Sequence, residues 1–177
     1  MKRLGACGLI SIALALWVCL PRGARAQGAF EPISGKAFDS AIPTDFYLEG
    51  NRIPVEKRNA ALVKTPRGAR LVLGLIDTSG YSSQIQQKYM GMLITEGKVS
   101  VCNVPLSVGS YGFGLEKPPA TSRAEAKFLL YNQAGEKVGE CGAKKDSAVT
   151  QPKPLNVVSS KEAGARLYLG RYYLELK

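Results

Sequence analysis

The sequence predicts an all-β protein, a single antiparallel β-sandwich of about seven to ten strands. Two observations carry that expectation. Short apolar–polar alternations recur at roughly ten-residue spacing, closed by turn residues such as Gly, Pro and Asn. Two cysteines, Cys102 and Cys141, stand in the part of the chain that follows an export leader. An even pair in that setting reads as a disulfide.

The leader is residues 1–26. Lys2 and Arg3 precede an uncharged run from Leu4 to Leu20, and Ala24-Arg25-Ala26 supplies small residues at a cleavage site, so the mature chain is expected to begin at Gln27. The run is short and Gly-interrupted for a spanning helix of about 20 residues. No transmembrane segment is expected after cleavage. Cys7, Cys19 and Trp17 leave with the leader. Residues 27–43, rich in Gly, Ala and Pro, read as a loose lead-in, and residues 44–177 as the sandwich domain.

Thr44 to Glu49 reads as a strand ending at Gly50-Asn51. Arg58 to Lys64 reads as a second, stopped by Thr65-Pro66-Arg67-Gly68. Ala69 to Ile76 sets Leu71, Leu73 and Leu75 against Arg70, Val72 and Ile76, so a central strand with both faces buried is expected. Ser82 to Lys88 fits either a short helix or a polar loop. Tyr89 to Thr95 and Lys98 to Cys102 flank Glu96-Gly97 as a plausible hairpin. Gly109 to Glu116 places Tyr111, Phe113 and Leu115 on one face and Ser110, Gly112 and Gly114 on the other. Glycines on one face weaken a strand but let another segment approach its backbone.

Glu125 to Asn132 follows. Ser122 to Glu125 has capping-box spacing, but Phe128, Leu129, Leu130 and Tyr131 in a row favour a strand. Gln133 to Glu136 is a turn, Lys137 to Cys141 a strand, and Gly142 to Pro154 a polar connection. Leu155 to Ser159 and Ala165 to Lys177 finish the chain, with Tyr172, Leu174 and Leu176 opposing Arg171, Tyr173 and Glu175. Gly68 to Gly74 and Gly164 to Gly170 match at six of seven positions. Two strands opening after similar Gly turns explain the echo without a duplication.

Of the 24 basic residues, Lys2, Arg3, Arg22 and Arg25 belong to the leader, which holds none of the 14 acids, so the net charge falls from +10 to +6. That excess suits anionic partners and also plain solubility. The chain has no His. Ser-His and Cys-His nucleophilic pairs and His-based metal sites are therefore excluded. A phosphate loop at Gly91 to Lys98 fails, because five residues separate Gly91 from Gly97 and Val99 stands where Ser or Thr must be. No catalytic residue, metal ligand or cofactor is assigned.

Three groups of residues merit naming. Cys102 and Cys141 would close a loop worth about 4 kcal/mol. Lys57, Arg58, Lys64, Arg67 and Arg70 fall in an acid-free stretch. They form either a landing patch for anionic polysaccharide or a charged strand edge that blocks pairing with other chains. Nucleic acid is not expected, since no aromatics interleave the patch. Tyr81, Gln84, Gln86 and Gln87 lie in a polar, nearly uncharged segment that could hydrogen-bond and stack on a sugar, or simply connect two strands.

The stretch Ile94 to Val101, then Val104 to Tyr111, Phe113, Phe128 to Asn132 and Arg166 to Leu176 has a recognisable rhythm. It resembles an uncharacterised family of exported bacterial β-domains, a domain of unknown function with a P-x-G-x-Y phrase between strands. Here Pro105 stands four residues before Gly109, and the family's aromatic strand end lacks its Trp. The resemblance spans about residues 94–177. It implies a β-sandwich and supplies no activity or ligand.

The expected role is an exported, periplasmic or extracellular, non-catalytic binding or structural module of the bacterial envelope. Its partner would be an anionic envelope polysaccharide or another envelope protein. A carbohydrate-binding protein using Tyr81 and the glutamines is one alternative. A small hydrolase with two paired carboxylates is another.

Overall fold

A computed structural model describes residues 28–119, 125–160 and 164–177. The expected leader lies outside the described residues, as do Ser122 to Ala124 of the capping-box reading. Among the described residues the chain forms β1 (Glu31–Ile33), α1 (Lys36–Ala41), β2 (Asp45–Leu48), β3 (Asn51–Lys64), β4 (Arg70–Ile76), α2 (Ser83–Lys88) and β5 (Gly91–Thr95). Then come β6 (Val99–Val101), β7 (Val104–Leu106), β8 (Gly109–Glu116), β9 (Ala126–Asn132) and β10 (Lys137–Lys145). The last three strands are β11 (Asn156–Ser160), β12 (Gly164–Leu169) and β13 (Tyr172–Leu176).

The protein is all-β and antiparallel, as the alternation predicts. The main path runs β1-β3-β4-β5-β8-β9-β10-β13-β12-β11, with β2 attached to β3 and the β6–β7 hairpin attached to β13. β10 is the corner. Its residues Gly139 to Ala143 pair with β9, while Lys144 and Lys145 pair with β13. The two halves therefore fold over one core. Leu71, Leu73, Leu93, Phe113, Phe128 and Leu130 of the first half meet Val101, Leu167, Leu169, Leu174 and Leu176 of the second. The sheet almost closes on itself. At the remaining seam the Ser159 hydroxyl donates to the Phe30 carbonyl, and the Phe30 ring is buried in the core.

β4 is buried along its length after Arg70, as its two apolar faces require. Leu71, Leu73 and Leu75 enter the shared core, and Val72 and Ile76 enter a second cluster on the outside. That outer cluster holds Ile42, Phe46, Leu48, Ile53, Leu62, Ile85, Tyr89 and Met92. It is roofed by β2 and by the two short helices. A glycine in the left-handed region stands two residues before β4, Gly68 at φ 87°, and another opens β12, Gly164 at φ 86°.

Four expectations need correction. Of the expected loose lead-in 27–43, the described residues 28–43 are not loose: Phe30, β1, α1 and Ile42 are part of the packed body. Glu96-Gly97 is not a hairpin turn. β5 pairs with β4 and β8, and β6 pairs with β7 and β13, so the segment crosses between halves. The second strand begins at Asn51 rather than Arg58, because a bulge between Glu56 and Ala60 breaks its alternation without ending it. The first polar residues of the expected 142–154 connection extend β10 to Lys145. Ser83–Lys88 is the short helix, with Ser82 capping the Ile85 amide.

The bare face of β8 has a specific occupant. The segment after α2 lies across it, with the Met90 amide donating to the Phe113 carbonyl at 2.8 Å. A Cβ on Gly112 would come within 2.7 Å of the Tyr89 ring, and one on Gly114 would overlap the Lys88 carbonyl. Those glycines set where Lys88 and Tyr89 sit.

Candidate functional site

The structure separates the residues singled out in the sequence. Tyr81 packs against the outer apolar cluster and donates its hydroxyl to the Arg52 carbonyl. The Gln86 amide donates to the Tyr81 carbonyl at 2.8 Å. Gln84 and Gln87 are exposed on α2. Two of the four polar side chains are thus used to hold their own loop.

The basic run divides as well. Lys57 and Arg58 sit at the bulge of β3, while Lys64, Arg67 and Arg70 sit at its far end and the turn into β4. Lys57 pairs with Asp39 at 2.9 Å, Lys64 with Glu31 at 3.9 Å and Arg70 with Glu96 at 2.5 Å. Acids from other segments offset three of the five cations. Arg58 and Arg67 carry no ion pair among the described residues. Cys102 and Cys141 form the disulfide, with Cα atoms 6.1 Å apart. It ties the β6–β7 hairpin to β10.

Beside that disulfide lies an open groove of about 300 Å³ lined by Glu125, Ala126, Lys127, Glu140, Cys141 and Gly142. Glu125 and Glu140 both line it, and the hydrolase alternative calls for two carboxylates. Glu140 itself is not tuned as the general acid of such a pair. Lys137 hydrogen-bonds Glu140 and holds its carboxyl below the usual carboxylate range. A general acid requires the opposite shift.

The most interconnected polar cluster is one the sequence did not suggest. Lys88 donates to Glu49 Oε1 at 2.5 Å and to the Gly135 carbonyl at 2.6 Å. The Tyr89 hydroxyl donates to the same carboxylate oxygen at 2.6 Å. The Lys88 ammonium lies 4.9 Å from the Tyr131 ring centroid and 5.2 Å from that of Tyr89. Glu49 is held in the left-handed region at φ 49° by its turn, and its amide donates to the Gln133 carbonyl at 2.8 Å. The cluster therefore fastens the β2–β3 turn to the β9–β10 turn. Its bonds are all internal, so it acts as a clasp rather than a receptor.

Lys88, then Tyr89, depress the Glu49 pKa through their hydrogen bonds. A carboxyl that titrates lower when folded contributes its full stability above its unfolded value of about 4.3. That contribution disappears as pH falls through the folded value. Glu49→Gln is expected to lower stability at neutral pH and to flatten the further loss between about pH 5 and about pH 2. Urea unfolding of both proteins across that range measures the difference. Parallel curves would show that Glu49 is not the linked group.

The second half of the sheet presents a different surface. Lys144 of β10, Tyr173 of β13, Tyr168 of β12 and Asn156 of β11 lie in register across four neighbouring strands. Tyr168 and Tyr173 are half-buried with ring centroids 5.5 Å apart. The exposed Arg166 guanidinium lies 4.6 Å from the Tyr173 ring centroid. The Tyr168 hydroxyl donates to Asp146 at 3.0 Å. Glu175 stands opposite Arg166 in register, but its carboxylate pairs with Lys177 at 3.3 Å.

Comparison with family models, with curated proteins and with solved structures finds no match.

The sequence held one usable signal for this surface. Arg166 and Tyr168 alternate with Leu167 and Leu169, and Tyr173 alternates with Leu174, so the outward set was readable strand by strand. That the three meet across β12 and β13 was not. Lys88 offered no signal at all, since its partners Glu49 and Gly135 lie 39 and 47 residues away.

Proposed function

We propose that this chain works outside the cytosol, in the periplasm or beyond it, as a non-catalytic binding or structural module of the bacterial envelope. The observation that carries this is the Cys102–Cys141 disulfide. Such crosslinks form and persist in oxidising compartments, and the leader read at residues 1–26 would deliver the chain to one. A sheet with apolar packing on both faces of its first half is a stiff support for surface groups. Among the described residues no helix is long and apolar enough to cross a membrane.

The test is to express the full chain in a bacterial host and recover it from the envelope fraction. Intact mass should show residues 1–26 removed, and thiol titration of the denatured protein should find no free sulfhydryl. A full-length chain confined to the cytosolic fraction with Cys102 and Cys141 reduced would overturn the proposal.

A further inference from the structure

We propose that the outer face of β10, β13 and β12 is a docking surface for an anionic polysaccharide, with Arg166 and Lys144 as its charged anchors. The proposal rests on the reading of the chain as an exported binding module and gives that module a ligand class.

The charge distribution carries it. Lys127, Lys144, Lys145, Lys153, Arg166 and Arg171 all belong to the second half or its border, and none carries an ion pair among the described residues. All but Lys127 lie on or beside β10, β12 and β13. Lys153 and Arg171 flank the β12–β13 turn, since the Gly170 amide donates to the Lys153 carbonyl and the Asp146 amide to the Arg171 carbonyl. Of the nearby acids among the described residues, Glu175 pairs with Lys177, and Asp146 accepts from the Tyr168 hydroxyl. A surface on which unpaired cations outnumber the carboxylates is complementary to a chain of anions.

Arg166 is pre-positioned. Its guanidinium lies over the Tyr173 ring, 4.6 Å from the centroid. The stack restricts the side chain before any ligand arrives, and that lowers the entropy lost on binding. Arg166 thus offers a planar fork suited to a carboxylate or a sulfate.

The neighbouring groups favour a sugar polymer over a lipid surface. Lys144, Tyr173, Tyr168 and Asn156 form a row that spans about 14 Å at the usual strand spacing. Three of the four carry neutral hydrogen-bonding groups. A membrane-binding face needs apolar side chains to bury among the acyl chains. Among the described residues of β10 to β13, the large exposed hydrophobics are Val158 on β11 and Val138 near the start of β10, too few for such a face.

The test uses the processed, disulfide-bonded protein, purified so that its compartment plays no part in the measurement. Affinity electrophoresis compares gels containing polygalacturonate, dextran sulfate or neutral dextran, and flotation compares vesicles with and without phosphatidylglycerol. We expect retention by one or both anionic polymers, weakening as salt rises, and none by neutral dextran. The first two gels distinguish carboxylate from sulfate. R166Q/K144Q should weaken retention about tenfold or more. R58Q/R67Q removes the same charge elsewhere and should leave retention within about twofold. Thermal melts confirm that both variants are folded, and the single substitution K144Q on an exposed side chain provides a milder second variant. Absence of retention on both anionic polymers, equal loss in the two double variants, or binding to anionic vesicles alone would each overturn the proposal. None of these outcomes bears on export, which is measured separately.

Discussion

Phe128→Ala is expected to remove about 3–5 kcal/mol of folding stability, the usual cost of deleting a buried aromatic ring. Phe128 is 0% exposed. Its ring lies 5.3 Å from that of Phe113 at an interplanar angle of 32°. β9 is paired along both edges, with β8 and with β10. The backbone around Phe128 is therefore held by ladders on each side and cannot close on the void. Small domains have about 5–15 kcal/mol in total, so the variant should unfold at much lower urea. Tyr47→Ala is the control. Tyr47 is also aromatic and in a strand, but 55% exposed, and its loss should shift stability by about 0.5 kcal/mol or less. Equal effects at the two positions would mean that Phe128 is not in the core.

Replacing both Cys102 and Cys141 with serine is expected to cost about 4 kcal/mol. The bond spans 39 residues in sequence. Cutting it frees that loop in the unfolded chain and raises the entropy of the unfolded state. A local effect accompanies the global one. The disulfide joins the β6–β7 hairpin to β10, and β6 is held to β13 by two reciprocal bonds between Ser100 and Lys177 and by the Cys102 amide to the Glu175 carbonyl. Hydrogen exchange at Val99 to Val104 should therefore accelerate more than at β4 or β9. Thermal unfolding with and without reductant gives a second measure. Wild-type protein should become less stable when reduced, and the double variant should not respond. A reductant response in the double variant would show that another group is involved.

The burial pattern was legible wherever a strand's environment repeats every two residues. Leu71, Leu73 and Leu75 on one face of β4, and Phe113 between Gly112 and Gly114 on β8, could be assigned from alternation alone. The Glu96-Gly97 crossing could not. A turn dipeptide specifies a local bend, and the choice between pairing back and crossing over depends on which edges remain open. The burial of the lead-in was not legible for a similar reason. Phe30 and Ile42 are single apolar residues among small and polar ones, and only the seam and the outer cluster give them a place to be buried. The basic run at 57–70 shows the same limit in electrostatics. Its acid-free stretch is real in sequence, yet Asp39, Glu31 and Glu96 reach it from other segments.

By itself the sequence determined the class of fold, the inward and outward sets of most strands, the pairing of Cys102 with Cys141 and the exclusion of imidazole chemistry. These follow from local steric periodicity and from composition, which need no knowledge of neighbours. The tertiary structure alone decided which cations keep their charge free, that Lys88 closes a clasp on Glu49, and that Arg166 rests on Tyr173. Coulomb and hydrogen-bond energies act over a few ångströms of space. Sequence distance does not reveal which groups lie within that reach.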